Sequence, residues 1–252
     1  MISLDTIRDG LAQGEFFLEY LPTVTLADGR CVGAEALSRW RRSSGVLQPE
    51  EFIHLIEGTH LSGMLTYWVF ETVAKELGGW LRVHKETHIS INAPPEILGR
   101  GGLEYAALKT GLSEVRDQII LEVTERGIPD NLGVATLDAA SRSGVRIALD
   151  DVTLSGSQLA VLSRCTLDLI KTDRSLVAQI TAGCPCPAWL SGLSAVLQST
   201  RVAVIAEGVE NEVQAEALRA AGIPMAQGYY FSRPVSAEQL KVFYSKAGGQ
   251  AD

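Results

Sequence analysis

The sequence predicts a (β/α)8 TIM-like barrel whose first two strands run antiparallel. Strand-like and helix-like segments alternate along the chain, its 252 residues match the size of one such barrel, and only the turn-like "ADG" separates the first two strand segments.

Eight apolar, β-rich runs supply the strands. They are "EFFLEYLPTVTL" (15–26), "CVGAEALSRW" (31–40), "THISINA" (87–93), "QIILEVTE" (118–125), "RIALDD" (146–151), "LDLIKTD" (167–173), "RVAVIAEG" (201–208) and "MAQGYYFS" (225–232). Helical spacing or capping signals fill "PEEFIHLIEG" (49–58), "MLTYWVFETVAKELGGWL" (64–81), "NLGVATLDAASRSG" (131–144), "SLVAQI" (175–180), "AWLSGLSAVLQS" (188–199), "NEVQAEALRAAG" (211–222) and "SAEQLKVFYSKAGG" (236–249). Several of these close on a glycine, where a helix takes a left-handed cap. No stretch reads as a linker, so one domain over residues 1–252 is expected.

A hydrophobic fraction of 46% supports a large core, and a charged fraction of 21% is not that of a disordered chain. The net charge of −8 argues against binding a nucleic-acid backbone, so no DNA partner is expected. No apolar run reaches membrane-spanning length and the start carries no signal-like pattern, so the expected location is cytoplasmic, with no membrane partner. The cysteines Cys31, Cys165, Cys184 and Cys186 are scattered, and the one close pair, in "CPCP", lacks the two-residue spacing of zinc or redox motifs. They read as reduced thiols.

Barrels of this kind gather their chemistry at the C-terminal ends of the strands. Polar residues stand at or near nearly every such end: Glu35, Asn92, Glu122 with Glu125, Asp150 with Asp151, Lys171 with Asp173, Glu207, and Gln227. Any one alone reads as a rim residue or a helix cap. Together they are harder to dismiss, because Glu35, Glu122 and Glu207 lie among aliphatic neighbours, where an ionised carboxylate is costly unless paired or bound to a metal. Five carboxylates and an asparagine amide form an all-oxygen set suited to Mg2+ or Mn2+. The adjacent Asp150 and Asp151 fit a two-ion site, one carboxylate bridging and its neighbour holding the second ion. Zinc is disfavoured, since His54, His60, His84 and His88 form no HxH or HExxH pair and read as surface or helix-face residues. Lys171 has two readings, a salt-bridge partner of the acids or the group that holds an attacking water.

These residues carry a resemblance to a known family. "EALSR" at 35–39, "PEEFIHLIE" at 49–57, "SINAP" at 90–94, "LEVTE" at 121–125, "ALDD" at 148–151, "LDLIKTDRSLV" at 167–177, "IAEGVEN" at 205–211 and "QGYYFSRP" at 227–234 occur in the order found in EAL-domain cyclic di-GMP phosphodiesterases. The likeness runs from about residue 15 to about residue 240. It implies a barrel with an antiparallel first strand and metal-dependent hydrolysis of cyclic di-GMP to linear pGpG with two Mg2+ or Mn2+ ions. By the same resemblance Glu35, Asn92, Glu122 and Asp150 would ligate one ion, and Asp150, Asp151 and Glu207 would surround the other. Lys171 would position the water, which places Lys171, Glu35 and Glu207 at the catalytic centre; Leu37, Arg39 and Gln227 would face the nucleotide, and Glu125 would brace the loop after Asp151. The family commonly dimerises, so a homodimer is expected, with a regulatory protein as a further partner.

That loop is where the chain departs from the family. The family usually reads FGTGYSS after the paired aspartates, whereas residues 152–158 here are "VTLSGSQ". Thr153 and Ser155 replace the glycines, and Gly156 lies elsewhere. If those positions require positive φ in the family loop, each replacement adds strain or forces another path. An active phosphodiesterase is the first expectation, and a non-hydrolysing or weakly active cyclic di-GMP receptor that signals through a protein partner is the alternative.

Overall fold

A computed structural model of the chain describes residues 2–124, 131–154 and 166–247. Its sheet starts with β1 (Phe16–Thr25) and β2 (Cys31–Arg42), followed by a short β3 (Gly45–Leu47). The remaining strands are β4 (His88–Asn92), β5 (Ile119–Thr124), β6 (Arg146–Val152), β7 (Leu169–Thr172), β8 (Ala203–Ala206) and β9 (Met225–Ala226). β2 and β4 to β9 run parallel in chain order. β1 is antiparallel to both β2 and β9 and closes the ring, so eight strands form the barrel. The expected antiparallel start is present. β3 is a ninth strand that the sequence reading did not contain; it folds back on the end of β2, pairing Leu47 with Trp40, outside the ring.

Around the barrel lie α1 (Leu4–Ala12), α2 (Ile53–Ile56), α3 (His60–Val83), α4 (Gly102–Thr110), α5 (Asn131–Arg142), α6 (Arg174–Val177), α7 (Ala188–Ser199), α8 (Glu212–Ala220) and α9 (Ala237–Ala247). Local chemistry sets several starts. Ser3 caps α1 in a reciprocal box with Thr6, Thr59 caps α3, Asp173 caps α6 through the Ser175 amide, and Asn211 caps α8. Asp173, which the sequence placed among the strand-end polar residues, therefore serves a helix. α1 and α4 were not anticipated, because α1 is short and largely polar and α4 follows the turn-like "GRGG". Among the described residues no helix is long and apolar enough to cross a membrane.

The last strand segment is also shorter than expected. Only Met225 and Ala226 pair as strand, and the chain then turns back, with the Tyr230 amide donating to the Val209 carbonyl. Gly228 makes this turn possible: its φ is 153°, and a Cβ there would lie 2.1 Å from the Val209 oxygen.

Apolar side chains pack in three places. The main core fills the space between sheet and helices, with Ile89, Ile91, Leu121, Ile147, Leu149 and Val204 facing outward against Val73, Leu77 and Leu218. Inside the ring, Ile120, Ala148, Leu169 and Ile205 form a plug. Beyond the rim, the extended β1–β2 ribbon has its own small core, in which Phe16 stacks on Trp40 and Phe52 packs edge-on against both. The alternation that puts Ile120 inside and Leu121 outside also puts Glu122 inside, above the plug.

His88 corrects the expectation of surface or helix-face histidines. It lies in β4, 3% exposed, against Gly33, where a Cβ would come within 2.5 Å of the ring. Burial, and then the charge of Arg146, push its pKa down to about 3. The unfolded chain, with a histidine near 6.5, binds the proton first, so stability falls as pH drops below about 6.5. His88→Gln should remove this component, worth about 1 kcal/mol per pH unit between pH 6 and 4. Parallel denaturation curves for the wild type and the variant measure it, and an identical acid slope in the two would contradict it.

Candidate active site

Each strand-end acid reaches the site by the inward-facing register. Asn92 of β4 pairs with Glu122 of β5, Thr124 of β5 with Asp150 of β6, and Glu35 of β2 faces Leu21 across β1 and Ser90 across β4. Lys171 of β7 stands at their centre, 1% exposed. Its Nζ lies 2.9 Å from Glu35 Oε2, 2.8 Å from Glu122 Oε2, 3.3 Å from Asp150 Oδ1 and 2.6 Å from Glu207 Oε1. Four carboxylates, from β2, β5, β6 and the residue after β8, therefore share one ammonium, a formal surplus of three negative charges. Asn92 donates from Nδ2 to the other oxygen of Glu35, at 3.1 Å, and is exposed at the mouth.

Asp151 should point away from the site, because neighbouring residues in a strand face opposite sides. It does not. The β6–β7 register slips between Leu149 and Val152, and Asp151 adopts φ 55°, a left-handed conformation that aspartate tolerates better than most residues. As a result oxygens of Asp150, Asp151 and Glu207 lie within 4.8 Å of one another.

The electrostatics are those of a cation site. Burial first, and then the neighbouring carboxylates, raise Asp150 to about 6 and Glu207 to about 8, while Lys171 acts in the opposite sense. Glu122, fully enclosed and facing Glu35, is held well above the usual carboxylate range. Burial alone would lower the Lys171 pKa, but Asp150, Glu122, Glu207 and Glu35 override it and hold the ammonium charged. Glu122 Oε1 is buried without a hydrogen-bond partner among the described residues. An unpartnered carboxylate oxygen inside an all-oxygen, over-negative cluster fits a hard divalent cation.

The remaining sequence-predicted residues divide. Leu37 is half-buried on the inward side of β2, two residues beyond Glu35. Arg39, 4% exposed, donates from Nε to Glu19 Oε2 at 2.7 Å. Gln227 has no exposed surface and donates from Nε2 to Thr23 Oγ1 at 2.8 Å, while its Oε1 has no hydrogen-bond partner among the described residues. Glu19 and Thr23 were not singled out in the sequence. The alternation of β1 places them on the face of Leu21, which would have signalled them. Glu125, Cys165 and the loop positions Ser155 and Gly156 lie outside the described residues.

Of the two outcomes expected at the loop, strain is not the one found at Thr153. Among the described residues outside glycine, positive φ falls on Asp151 and on Leu154, at 61°, and not on Thr153. Thr153→Gly should therefore relieve no strain and lower stability by about 0.5–1 kcal/mol through the freer unfolded chain. A higher denaturation midpoint in that variant would show that the threonine is strained.

A second prediction follows from the raised carboxyls. Without metal the folded state binds more protons than the unfolded chain, so stability falls as pH rises from about 4 towards 8, by about 1 kcal/mol per pH unit for each group while it titrates. Chelator-treated protein should melt at progressively lower temperature from pH 5 to pH 8, and added Mn2+ should remove most of the loss. A melting temperature independent of pH in the chelated protein would refute this electrostatic account.

The profile of the EAL domain matches residues 4–234. The probable cyclic di-GMP phosphodiesterase PdeB of Escherichia coli K12 is 32% identical over 239 residues, covering 93% of this chain and 45% of PdeB. The cyclic di-GMP phosphodiesterase NbdA of Pseudomonas aeruginosa is 32% identical over 247 residues, covering 95% of this chain and 31% of NbdA. The chain thus spans less than half the length of either relative. The structure of the PaMucR phosphodiesterase in complex with c-di-GMP superposes with a TM-score of 0.83 at 29% identity, over 94% of this chain and 98% of that one. With the domain profile matched over most of its length and a closed barrel of the same shape, this chain belongs to the EAL domain family.

Proposed function

We propose that the chain, acting as one barrel domain over residues 1–252, hydrolyses cyclic di-GMP to linear pGpG with two Mg2+ or Mn2+ ions. The observation that carries this reading is the over-negative cluster around Lys171, together with Asp151 turned into it by the strand irregularity. Relatives named as cyclic di-GMP phosphodiesterases and a c-di-GMP complex of a similar barrel support the choice of substrate.

Glu35, Asn92, Glu122 and Asp150 would hold one ion, and Asp150, Asp151 and Glu207 the other. When bound, such ions lower the pKa of water and offset the charge of the phosphodiester. Hydrolysis adds water oxygen to one bridging phosphorus and releases the 3′ oxygen, which takes up a proton, leaving a linear dinucleotide. Lys171 would orient the attacking water and stabilise charge that builds on the phosphoryl oxygens. Leu37 would form an apolar wall beside a base, Arg39 would meet a phosphate, and Gln227 would act through Oε1, the atom that lacks a partner among the described residues. The buried acids repel a dianionic dinucleotide until cations are present, so tight binding in this pocket depends on metal. The homodimer belongs to the same proposal, with light scattering as its measure.

Purified protein incubated with cyclic di-GMP and Mn2+ should release pGpG on chromatographic separation. Glu35→Ala should abolish it with the fold retained. Lys171→Ala should lower kcat by about 100-fold or more, and should destabilise the metal-free protein more than the metal-loaded one, because it leaves four carboxylates without their cation. Nucleotide binding without any pGpG at saturating Mn2+ would refute the enzyme reading in favour of a receptor, and full turnover of Glu35→Ala would refute the ligand assignment.

A further inference from the structure

Glu19 belongs to no motif of the family resemblance, yet among the described residues it is the ion-pair partner of Arg39. We propose that Glu19 is a positioning residue, fixing the Arg39 guanidinium so that one of its edges stays available to a phosphate oxygen of the cyclic dinucleotide. The inference rests on the reading of Arg39 as a nucleotide-facing residue.

The guanidinium is held at two points. Nε donates to Glu19 Oε2 at 2.7 Å, and Nη1 donates to the Ser38 carbonyl at 3.0 Å. Among the described residues no hydrogen bond or ion pair occupies Nη2, and a guanidinium binds phosphate through such free N–H groups. The Arg39 side chain is 5% exposed and that of Glu19 33%, so the pair sits at the boundary between the pocket wall and solvent.

The backbone around the pair is rigid. Glu19 lies opposite Leu37 in the β1–β2 register, and Arg39 follows two residues along on the same side of the ribbon. The neighbouring Trp40 faces the other way, fully buried, stacked on Phe16 and donating from Nε1 to Glu15 at 2.8 Å. This leaves the Arg39 side-chain torsions as the freedom to be removed, and the Glu19 hydrogen bond removes it before ligand arrives. An acid so close to a phosphate site opposes the ligand electrostatically, so its benefit must come from orientation. A purely structural role, neutralising a buried arginine, predicts a change in stability in its place.

Steady-state kinetics with cyclic di-GMP and Mn2+ test this. Glu19→Ala should raise KM by about tenfold with kcat within about twofold, whereas Glu19→Gln, which keeps an acceptor and loses the charge, should stay within about threefold of the wild-type KM. In an Arg39→Ala background Glu19→Ala should add nothing to KM. Should Glu19→Ala fail to fold, Glu19→Asp carries the test, its shorter side chain raising KM several-fold in the wild-type background only. An unchanged KM, or equal effects with and without Arg39, overturns the proposal while leaving the phosphodiesterase reading intact. Absence of both nucleotide binding and turnover in the wild type overturns both.

Discussion

Lys171, 1% exposed, is surrounded at 2.6–3.3 Å by four carboxylates, and most of the functional architecture depends on that contact. Burying an ammonium or a carboxylate alone is expensive, and the mutual attraction offsets the cost only when the geometry is good. Here Lys171 of β7 meets partners from β2, β5, β6 and the residue after β8, so the cluster exists only once the ring has closed. Burial first, and then four anions that one cation cannot balance, raise the carboxyl pKa values. Such a site is costly to the metal-free fold and suited to divalent cations for the same reason.

The plug of Ile120, Ala148, Leu169 and Ile205 makes this arrangement tolerable. Directly beneath the acids it fills the barrel with apolar volume, which keeps water from the underside and raises the strength of every charge interaction above it. On each strand the plug residue and the site residue are two apart: Ile120 and Glu122, Ala148 and Asp150, Leu169 and Lys171, Ile205 and Glu207. Core and chemistry are thus successive layers of a single alternation. The bulge at Asp151 breaks that alternation once, where a second carboxylate is brought to the same side.

A different device supports the substrate side. The β1–β2 ribbon continues past the barrel rim, where an unsupported two-stranded hairpin would be marginally stable. The aromatic core of Phe16, Trp40 and Phe52, covered by Ile7 of α1 and Ile56 of α2, holds it in place. Gly10 in α1 allows this close approach, since a Cβ there would lie 2.6 Å from Trp40 Nε1. The helix that the sequence did not reveal is therefore part of what makes the Glu19–Arg39 pair rigid.

Strand identity, the order of the elements and the strand-end acids were legible in the sequence, because strand alternation has period two and barrel strands end on their polar residues. The all-oxygen character of the donor set was legible too, since it follows from residue type. Burial and pairing were not. That His88 is buried, that Glu19 holds Arg39 and that Thr23 receives Gln227 depend on residues brought together across 20 to 204 positions of chain. The sequence by itself determined which carboxylates stand at strand ends. Only the tertiary structure decided that Asp150 and Asp151 share a face, because this follows from the slipped β6–β7 register, a mismatch between two strands that neither strand's own sequence contains.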